Sequence, residues 1–477
     1  MPEQRPNLIL ILADHWRGDS LGRLNHPVAE TPHLDSMTTQ GVTFTNGFTS
    51  CPSCIAARRS LMTGMTPNSH GMLGYRDGCP WPYEHPLAGE LARAGYQTIN
   101  VGKTHFHPQR LHLGFEELTV PQDYDEWIER QTGQPRMRFA HGVPGNSWMA
   151  RPNHLPETQM EETWLTSQAM ERLIKRDPER PFFLCLSFNG PHPPWCPPPS
   201  FFDLFMQKDI PPPYVGDWAE RHAAEPPLDV NAWEGRLPPE LNHRARAAYY
   251  AYLAYLDSQI GRFVEFLGRS GLANNTFFLM TSDHGEMLGD HNLWRKTYGY
   301  DASVRVPFLT RLPHGWQGAR NVNLDVLVGW EDIMPTFLEM AGVPIPETVE
   351  GRSLVPLLRG ETLEWREYYH QEHSPCYAGD NAYQSLISKE WNYIWNPITG
   401  DEQLFDRLND PHELCDLAPD PQHADTLAEW RGKMAKHLQG SPENLSDGET
   451  LTPGPVPVWR DPRGPAFGAE GGVSEKV

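Results

Sequence analysis

The chain has 477 residues, of which 39% are hydrophobic and 21% are charged. This composition excludes a disordered or fibrous protein and predicts a globular one with a sizeable buried core. The 40 basic and 61 acidic side chains leave a net charge of −21, which argues against any broad affinity for nucleic acid or for an anionic membrane.

Apolar segments alternate with amphipathic ones along most of the chain. Strands are predicted over residues 8–13, 98–101, 182–188, 277–280 and 306–310. Helices are predicted from just after Cys54 to Gly64 and over residues 34–40, 90–94, 246–267 and 331–341. Strands that alternate with helices predict an α/β fold with a mostly parallel central sheet flanked by helices.

Polar side chains follow four of the predicted strands. In a parallel sheet, ligands bind beyond the carboxyl ends of the strands, so these side chains are candidates for a common site. They are Asp14, Lys103 with His105, His192, and Asp283 with His284.

The cysteines and the first residues of the chain indicate the cellular compartment. Seven cysteines at irregular spacing are a poor disulfide framework and indicate a reducing compartment. The first residues lack the features of a secretory signal, and no run of ~18 apolar residues predicts a membrane span. The sequence therefore predicts a cytoplasmic protein without a membrane partner.

One segment carries the most chemical information. Residues 54–64 read Cys-Ile-Ala-Ala-Arg-Arg-Ser-Leu-Met-Thr-Gly, which resembles the signature of the type I, formylglycine-dependent sulfatases, Cys-x-(Pro/Ala)-x-Arg followed by Leu-x-Thr-Gly. A motif that started at Cys51 would have no arginine at the required position. Two other interpretations of Cys54 are a buried structural cysteine and a zinc ligand with Cys51, and the zinc site would lack a second cysteine pair.

Shorter matches follow in order from about residue 7 to residue 418. The segments at 7–14, 102–105, 189–194 and 282–285 resemble conserved segments of the family, and so do 332–336 and 404–411. The resemblance implies the alkaline-phosphatase-like fold. The pattern changes after about Ser374 to short strand-like pieces and then a helix, and the last residues are rich in Pro and Gly. We therefore predict a catalytic domain over 1–373, a smaller α+β subdomain over 374–439 and a Pro/Gly-rich tail over 440–477. Segments 121–162 and 191–240 are predicted insertions, either surface loops, subunit contacts or walls of a substrate pocket.

The resemblance also implies the roles of individual residues. A maturation enzyme would oxidise Cys54 to formylglycine (3-oxoalanine), whose hydrate attacks the sulfur of a small-molecule sulfate ester. The implied catalytic residues are Cys54, Arg58, Lys103, His105, His192 and Lys296. The cationic side chains would neutralise the sulfuryl group, His105 would take a proton from the diol, and His192 would protonate the leaving oxygen.

One divalent metal ion completes the implied site. Its candidate ligands are Asp14, His15, Cys54, Asp283 and His284. Many sulfatases have a second aspartate where this chain has His15, and that residue either ligates the ion or only lines the site. Calcium or manganese is the expected metal, although the extra imidazole also suits magnesium or zinc.

Other functions remain open at this stage. One is a phosphonate monoester or phosphodiester hydrolase of the same superfamily, although Lys103 and His105 favour a sulfate. Another is a catalytically silent binding protein with an unmodified Cys54. The sequence does not distinguish aryl, choline-like and sugar sulfates, and it leaves open a homo-oligomer formed through the tail.

Overall fold

The computed structural model describes residues 5–224 and 230–462. The strands in these ranges are β1 (Asn7–Ala13), β2 (Val42–Phe48), β3 (Gln97–Gly102), β4 (Glu117–Thr119), β5 (Phe182–Ser187), β6 (Thr276–Ser282), β7 (Phe308–Arg311), β8 (Val322–Gly329), β9 (Tyr369–His373), β10 (Tyr383–Ile387), β11 (Trp391–Trp395) and β12 (Glu402–Asp406). The helices are α1 (Pro32–Thr38), α2 (Cys54–Thr63), α3 (Pro67–His70), α4 (Leu87–Arg93), α5 (Pro121–Thr132), α6 (Glu161–Lys175), α7 (Pro199–Met206), α8 (Pro239–Arg269), α9 (Asp301–Val304), α10 (Ile333–Met340), α11 (Val355–Leu358) and α12 (Ala424–His437).

Eight strands form the central sheet, in the order β4-β3-β5-β1-β6-β7-β2-β8. Strand β7 runs antiparallel to both of its neighbours, and the other adjacent pairs are parallel. The predicted α/β fold with a mostly parallel sheet is therefore confirmed. The sequence analysis missed β2, β4 and β8. Strand β8 is partly exposed and includes polar residues, so it lacks the continuous apolar run of a fully buried strand.

Strand β1, the fourth strand of the central sheet, lies between two layers of helices. Leu8, Leu10 and Leu12 belong to an apolar cluster that includes residues of α2, α4 and α10. Ile9 and Ile11 belong to a second cluster that includes residues of α6 and α8. Because both faces of β1 are covered, its sequence shows no polar alternation.

Several helices differ in length from the predictions. Helix α8 spans 31 residues and starts at Pro239, seven residues before the predicted start. Proline fits the first turn of a helix, where its missing N–H has no partner to lose. Helix α5 lies inside the predicted insertion 121–162, and its Tyr124 and Ile128 pack into the main core. That part of the insertion is thus an element of the domain and not only a surface loop.

A second, antiparallel sheet follows the main one. Its strand order is β12-β11-β10-β9, and α12 packs on it through Trp430 and Met434. The sheet starts at Tyr369. The described part of the predicted tail, residues 440–462, contacts its own chain, where the Leu73 amide donates to the Val458 carbonyl at 3.0 Å. Residues 463–477 of that predicted tail lie outside the described residues.

Two further observations concern location. All seven cysteines lie within the described residues, and each is a free thiol. Across residues 5–224 and 230–462, no helix combines the length and apolar character that crossing a bilayer requires.

Replacing Gly64 by alanine should destabilise the fold by about 1–3 kcal/mol. Gly64 ends α2 with a left-handed φ of 67°, and an added Cβ would lie 2.8 Å from Val349 Cγ1. Urea denaturation of both proteins measures the difference. Gly78→Ala is the matched control, because Gly78 has φ of 80° but nothing within 4 Å of the new Cβ. An equal loss in the two variants would show that the Val349 contact contributes nothing.

Candidate active site

The site lies at the carboxyl end of the central strands. Asp14 directly follows β1, Lys103 follows β3 and Asp283 follows β6. Strand β1 pairs with β6 on one side and with β5 on the other, and β5 pairs with β3. The four strand ends are therefore adjacent, and residues distant in sequence meet there, as expected of a parallel sheet. Cys54 reaches the same place as the first residue of α2.

Asp14, Cys54, Asp283 and His284 form a compact group of potential metal ligands. One donor atom from each residue lies within 4.8 Å of all the others, and the four residues are buried. His284 Nε2 lies 3.2 Å from Cys54 Sγ and 3.4 Å from Asp14 Oδ1. The buried Asp283 Oδ1 has no hydrogen-bond partner. Two carboxylates, one of which has an unpartnered oxygen, and an imidazole in one buried place fit a divalent cation.

The electrostatics of the two aspartates differ. Burial and the neighbouring Asp14 carboxylate raise the pKa of Asp283 to about 7. Burial also raises the pKa of Asp14. Lys103, which donates to Asp14 Oδ2, and the neighbouring His192, His15 and His284 together outweigh burial and hold that pKa well below its usual value. Lys103 thus keeps Asp14 ionised, whereas burial disfavours the ionised form of Asp283, a cost that a bound cation would offset.

Cys54 is the centre of a positively charged environment. Burial and Asp14 raise the pKa of its thiol, but Lys103, Lys296 and His284 outweigh them and lower it to about 6. Lys296 Nζ lies 3.5 Å from Cys54 Sγ. The residue also stands at the N-terminus of the ten-residue α2, where the helix dipole favours negative charge. An anion bound at Cys54 is therefore stabilised from several directions.

Arg58 is held one turn further along the same helix. Its Nη1 donates to the Lys103 carbonyl at 2.7 Å and to Ser187 Oγ at 2.9 Å. Its Nε donates to Asp283 Oδ2 at 3.3 Å. The guanidinium therefore connects the ends of β3, β5 and β6. The sequence analysis missed Ser187, although its position at the end of β5 could have indicated it.

The two predicted proton-transfer histidines take different places. The ring centroid of His192 lies 4.5 Å from that of His15, beside the buried group, and Nδ1 of His192 donates to the Pro193 carbonyl at 2.6 Å. His105 Nε2 lies 3.8 Å from Asp77 Oδ1, while its Nδ1 is buried without a partner. Burial, Lys103 and Arg58 lower the pKa of His105 to about 3, so its ring is neutral.

His15 reaches the site but is not one of the four grouped ligands. Its Nε2 lies 3.9 Å from Asp14 Oδ1 and only 2.9 Å from Lys296 Nζ. Its Nδ1 bonds Glu286 Oε2 at 2.6 Å. Glu286 was missed by the sequence analysis, although it stands two residues after His284 in an otherwise informative segment. Every residue of the predicted site thus lies in this one region.

Comparisons with known proteins agree with this geometry. A family model described as Sulfatase matches residues 6–343, and one described as N-sulphoglucosamine sulphohydrolase, C-terminal, matches residues 289–440. An arylsulfatase of Clostridium perfringens is 37% identical and aligns over 94% of this chain and 98% of its own length. A choline-sulfatase of Rhizobium meliloti is 30% identical, over 92% of this chain and 88% of its own.

Solved structures show the same likeness. The phosphonate monoester hydrolase of Agrobacterium radiobacter superposes with a TM-score of 0.79 and 26% identity, over 94% of this chain and 99% of that one. The alkaline-phosphatase-like fold that the motifs implied is therefore confirmed. Since the first family model covers most of the chain, and the arylsulfatase aligns along nearly its whole length, the chain belongs to the sulfatase family.

Proposed function

We propose that this protein hydrolyses sulfate monoesters to an alcohol and sulfate, with position 54 as the nucleophile. The observation that carries the proposal is the surroundings of Cys54. Its side chain lies in a buried group with Asp14, Asp283 and His284, beside Lys296 and one helical turn from Arg58. A sulfuryl group has three oxygens that share negative charge, and such a group needs fixed cations around it.

Asp14, Asp283, His284 and the side chain at position 54 would hold one divalent cation. When bound, that cation would lower the pKa of the attacking hydroxyl and polarise a sulfuryl oxygen. The two carboxylates favour calcium or manganese, which prefer oxygen ligands. Lys103 stays paired with Asp14 and keeps that carboxylate ionised, ready to bind a cation.

The proposed nucleophile requires a modification of Cys54. Family membership supports oxidation of this cysteine to formylglycine by a maturation enzyme, which would supply a hydrated aldehyde as an oxygen nucleophile. The hydrogen-bonded Arg58 would orient one face of the sulfuryl group, and Lys296 would neutralise another. The Arg58 Nη2 atom is buried and makes no hydrogen bond, so it is the donor that would meet a sulfuryl oxygen.

Two histidines would handle the protons. His192 donates from Nδ1 to the Pro193 carbonyl, which leaves Nε2 as the atom to contact the leaving oxygen. His105 has a buried Nδ1 without a hydrogen-bond partner, and this nitrogen would take a proton from the hydroxyl at position 54. His192 would protonate the leaving oxygen when the alcohol departs, and His105 would take the proton of the second hydroxyl when sulfate is released and the aldehyde re-forms.

We also propose a substrate class, a cellular location and a division into domains. The substrate is a small molecule, and the C. perfringens arylsulfatase favours an aryl sulfate as its class. The free thiols favour a cytoplasmic location. A catalytic domain over 1–373, a subdomain over 374–439 and a tail from 440 remain our division, and an oligomer formed through the tail remains a hypothesis.

A structural similarity supports a second candidate function. The phosphonate monoester hydrolase superposes at a TM-score of 0.79, so a phosphorus ester is the alternative substrate. We expect a higher kcat/KM for nitrophenyl sulfate than for the matched nitrophenyl phosphonate monoester, by about tenfold or more, because the site presents both Lys103 and His105. Assay of both esters with one protein preparation decides between them. A preference for the phosphonate would reverse the assignment.

A further inference from the structure

Glu286, His15 and Lys296 form a continuous chain of contacts that ends at Cys54. Glu286 Oε2 lies 2.6 Å from His15 Nδ1, and His15 Nε2 lies 2.9 Å from Lys296 Nζ. Lys296 Nζ lies 3.5 Å from Cys54 Sγ. All four residues are buried, with exposed fractions of 2% or less. A buried row of polar groups of this kind has few alternative arrangements.

Donor and acceptor chemistry determines the state of the imidazole. A lysine ammonium carries only donors, so the ring nitrogen 2.9 Å from Lys296 Nζ must be an acceptor. That nitrogen, Nε2, therefore has no hydrogen. The hydrogen of a neutral ring then resides on Nδ1, which donates to Glu286 Oε2.

Both ends of the His15–Glu286 pair are held in place. Glu286 Oε1 accepts from the amides of Leu288 at 3.1 Å and Arg295 at 2.5 Å, which fixes the carboxylate plane. The His15 carbonyl accepts from Tyr249 Oη at 2.8 Å, and the residue has φ of 71°. The left-handed backbone and the Tyr249 contact fix the position of the His15 main chain, from which the imidazole extends. The bond to Glu286 then fixes the orientation of the imidazole ring.

We propose that Glu286 is a positioning residue, which locks His15 as the neutral Nδ1–H form so that Nε2 holds the Lys296 ammonium beside position 54. The inference rests on the proposed function, in which Lys296 neutralises the sulfuryl oxygens. A carboxylate at position 15 would cancel the charge of Lys296. A neutral imidazole directs the ammonium and leaves its full charge for the substrate.

Glu286→Gln is the direct test. The two backbone amides need an acceptor, so the glutamine carbonyl takes the place of Oε1 and its NH₂ faces His15 Nδ1. His15 must then carry its hydrogen on Nε2, where it opposes Lys296. We expect kcat/KM for nitrophenyl sulfate to fall about 10- to 100-fold, the usual effect of losing such a supporting contact. We also expect the metal content to stay at the wild-type value, because the variant changes none of the four potential metal ligands.

Nitrogen NMR of histidine-labelled protein reads the tautomer directly. The His15 signal, assigned from its absence in His15→Gln, should show hydrogen on Nδ1 in the wild type and on Nε2 in Glu286→Gln. Glu331→Gln is the matched control. Glu331 is also buried and accepts from a side chain, Tyr369 Oη, outside the site. This variant should keep both the tautomer and the activity.

A second pair of variants keeps the test decisive if Glu286→Gln does not fold. His15→Gln offers an N–H to Glu286 and a carbonyl to Lys296, so it should retain more activity than His15→Leu, which offers neither. Equal activity of these two variants would overturn the proposal. So would an unchanged tautomer in Glu286→Gln, or a loss of metal there, which would make His15 a ligand. A wild-type protein without sulfatase activity would contradict the proposed function alone, and the tautomer would still decide the positioning role.

Discussion

Replacing Cys54 by alanine should reduce kcat for nitrophenyl sulfate by about 10⁴-fold or more, the scale of loss when an enzyme loses its nucleophile. Lys103 and Lys296 are cationic donors and Ser187 Oγ already accepts from Arg58, so none of these three neighbours offers a replacement nucleophile. Steady-state kinetics on wild type and variant measure the effect. Mass spectrometry of the peptide around residue 54 should show a loss of about 18 mass units in active wild type, as expected for formylglycine.

Cys51→Ala is the matched control for this experiment. Cys51 is buried like Cys54 and stands three residues before it, but it belongs to a separate apolar cluster with Ile55, Met72 and Cys79. Its loss should cost some stability and leave kcat largely unchanged. Full activity in Cys54→Ala would remove the basis of the proposed mechanism. A plain thiol at residue 54 in active protein would reject the modification.

Replacing Asp283 by asparagine should remove the metal and, with it, about 10³-fold or more of the activity, equivalent to ~4 kcal/mol of transition-state stabilisation. Asp283 Oδ2 accepts from Arg58, but Oδ1 is buried without a hydrogen-bond partner, so this oxygen is the one that would bind a cation. Elemental analysis should find about one divalent ion per wild-type chain and close to none per variant chain.

Thermal unfolding separates metal loss from misfolding in this variant. Added metal should raise the Tm of wild type, because a ligand that binds only the folded state stabilises it by about 2.7 kcal/mol at a hundred times its Kd. The Tm of Asp283→Asn should not respond. Asp257→Asn is the control, since Asp257 is a buried carboxylate that accepts from the amides of His33 and Leu34 outside the site. Normal metal content in the Asp283→Asn variant would refute the assignment of Asp283 as a metal ligand.

Much of the main domain could be predicted from local pattern. The run Leu8–Ala13 is apolar throughout because β1 is covered on both faces, and such a run is typical of a central parallel strand. Strand β8 was missed because its exposed half carries polar side chains, including Asp325. The antiparallel direction of β7 was not predictable either. Strand direction depends on how the chain between residues 283 and 307 returns to the sheet, and local periodicity carries no information about that path.

The sequence predicted which residues lie together in the candidate site, but not which of them contact one another. Cys54 and Arg58 share a motif, and Asp14, Lys103, His192 and Asp283 each follow a strand. Sequence order does not show that Lys103 pairs with Asp14, or that Arg58 bonds the Lys103 carbonyl and Ser187. These pairs form between different strands, whose order in the sheet is not the order in the chain.

The amino-acid sequence alone determined the family and predicted the candidate nucleophile and the residue types of the candidate site, because short motifs and strand-end residues are local properties. Only the tertiary structure decided what each side chain faces. His15 is the clearest case. From the sequence it was a candidate metal ligand, and in the fold it lies between Glu286 and Lys296, 271 and 281 positions away. Contacts across such separations arise from the packing of β1 against β6 and the segment that follows β6, which no local pattern encodes.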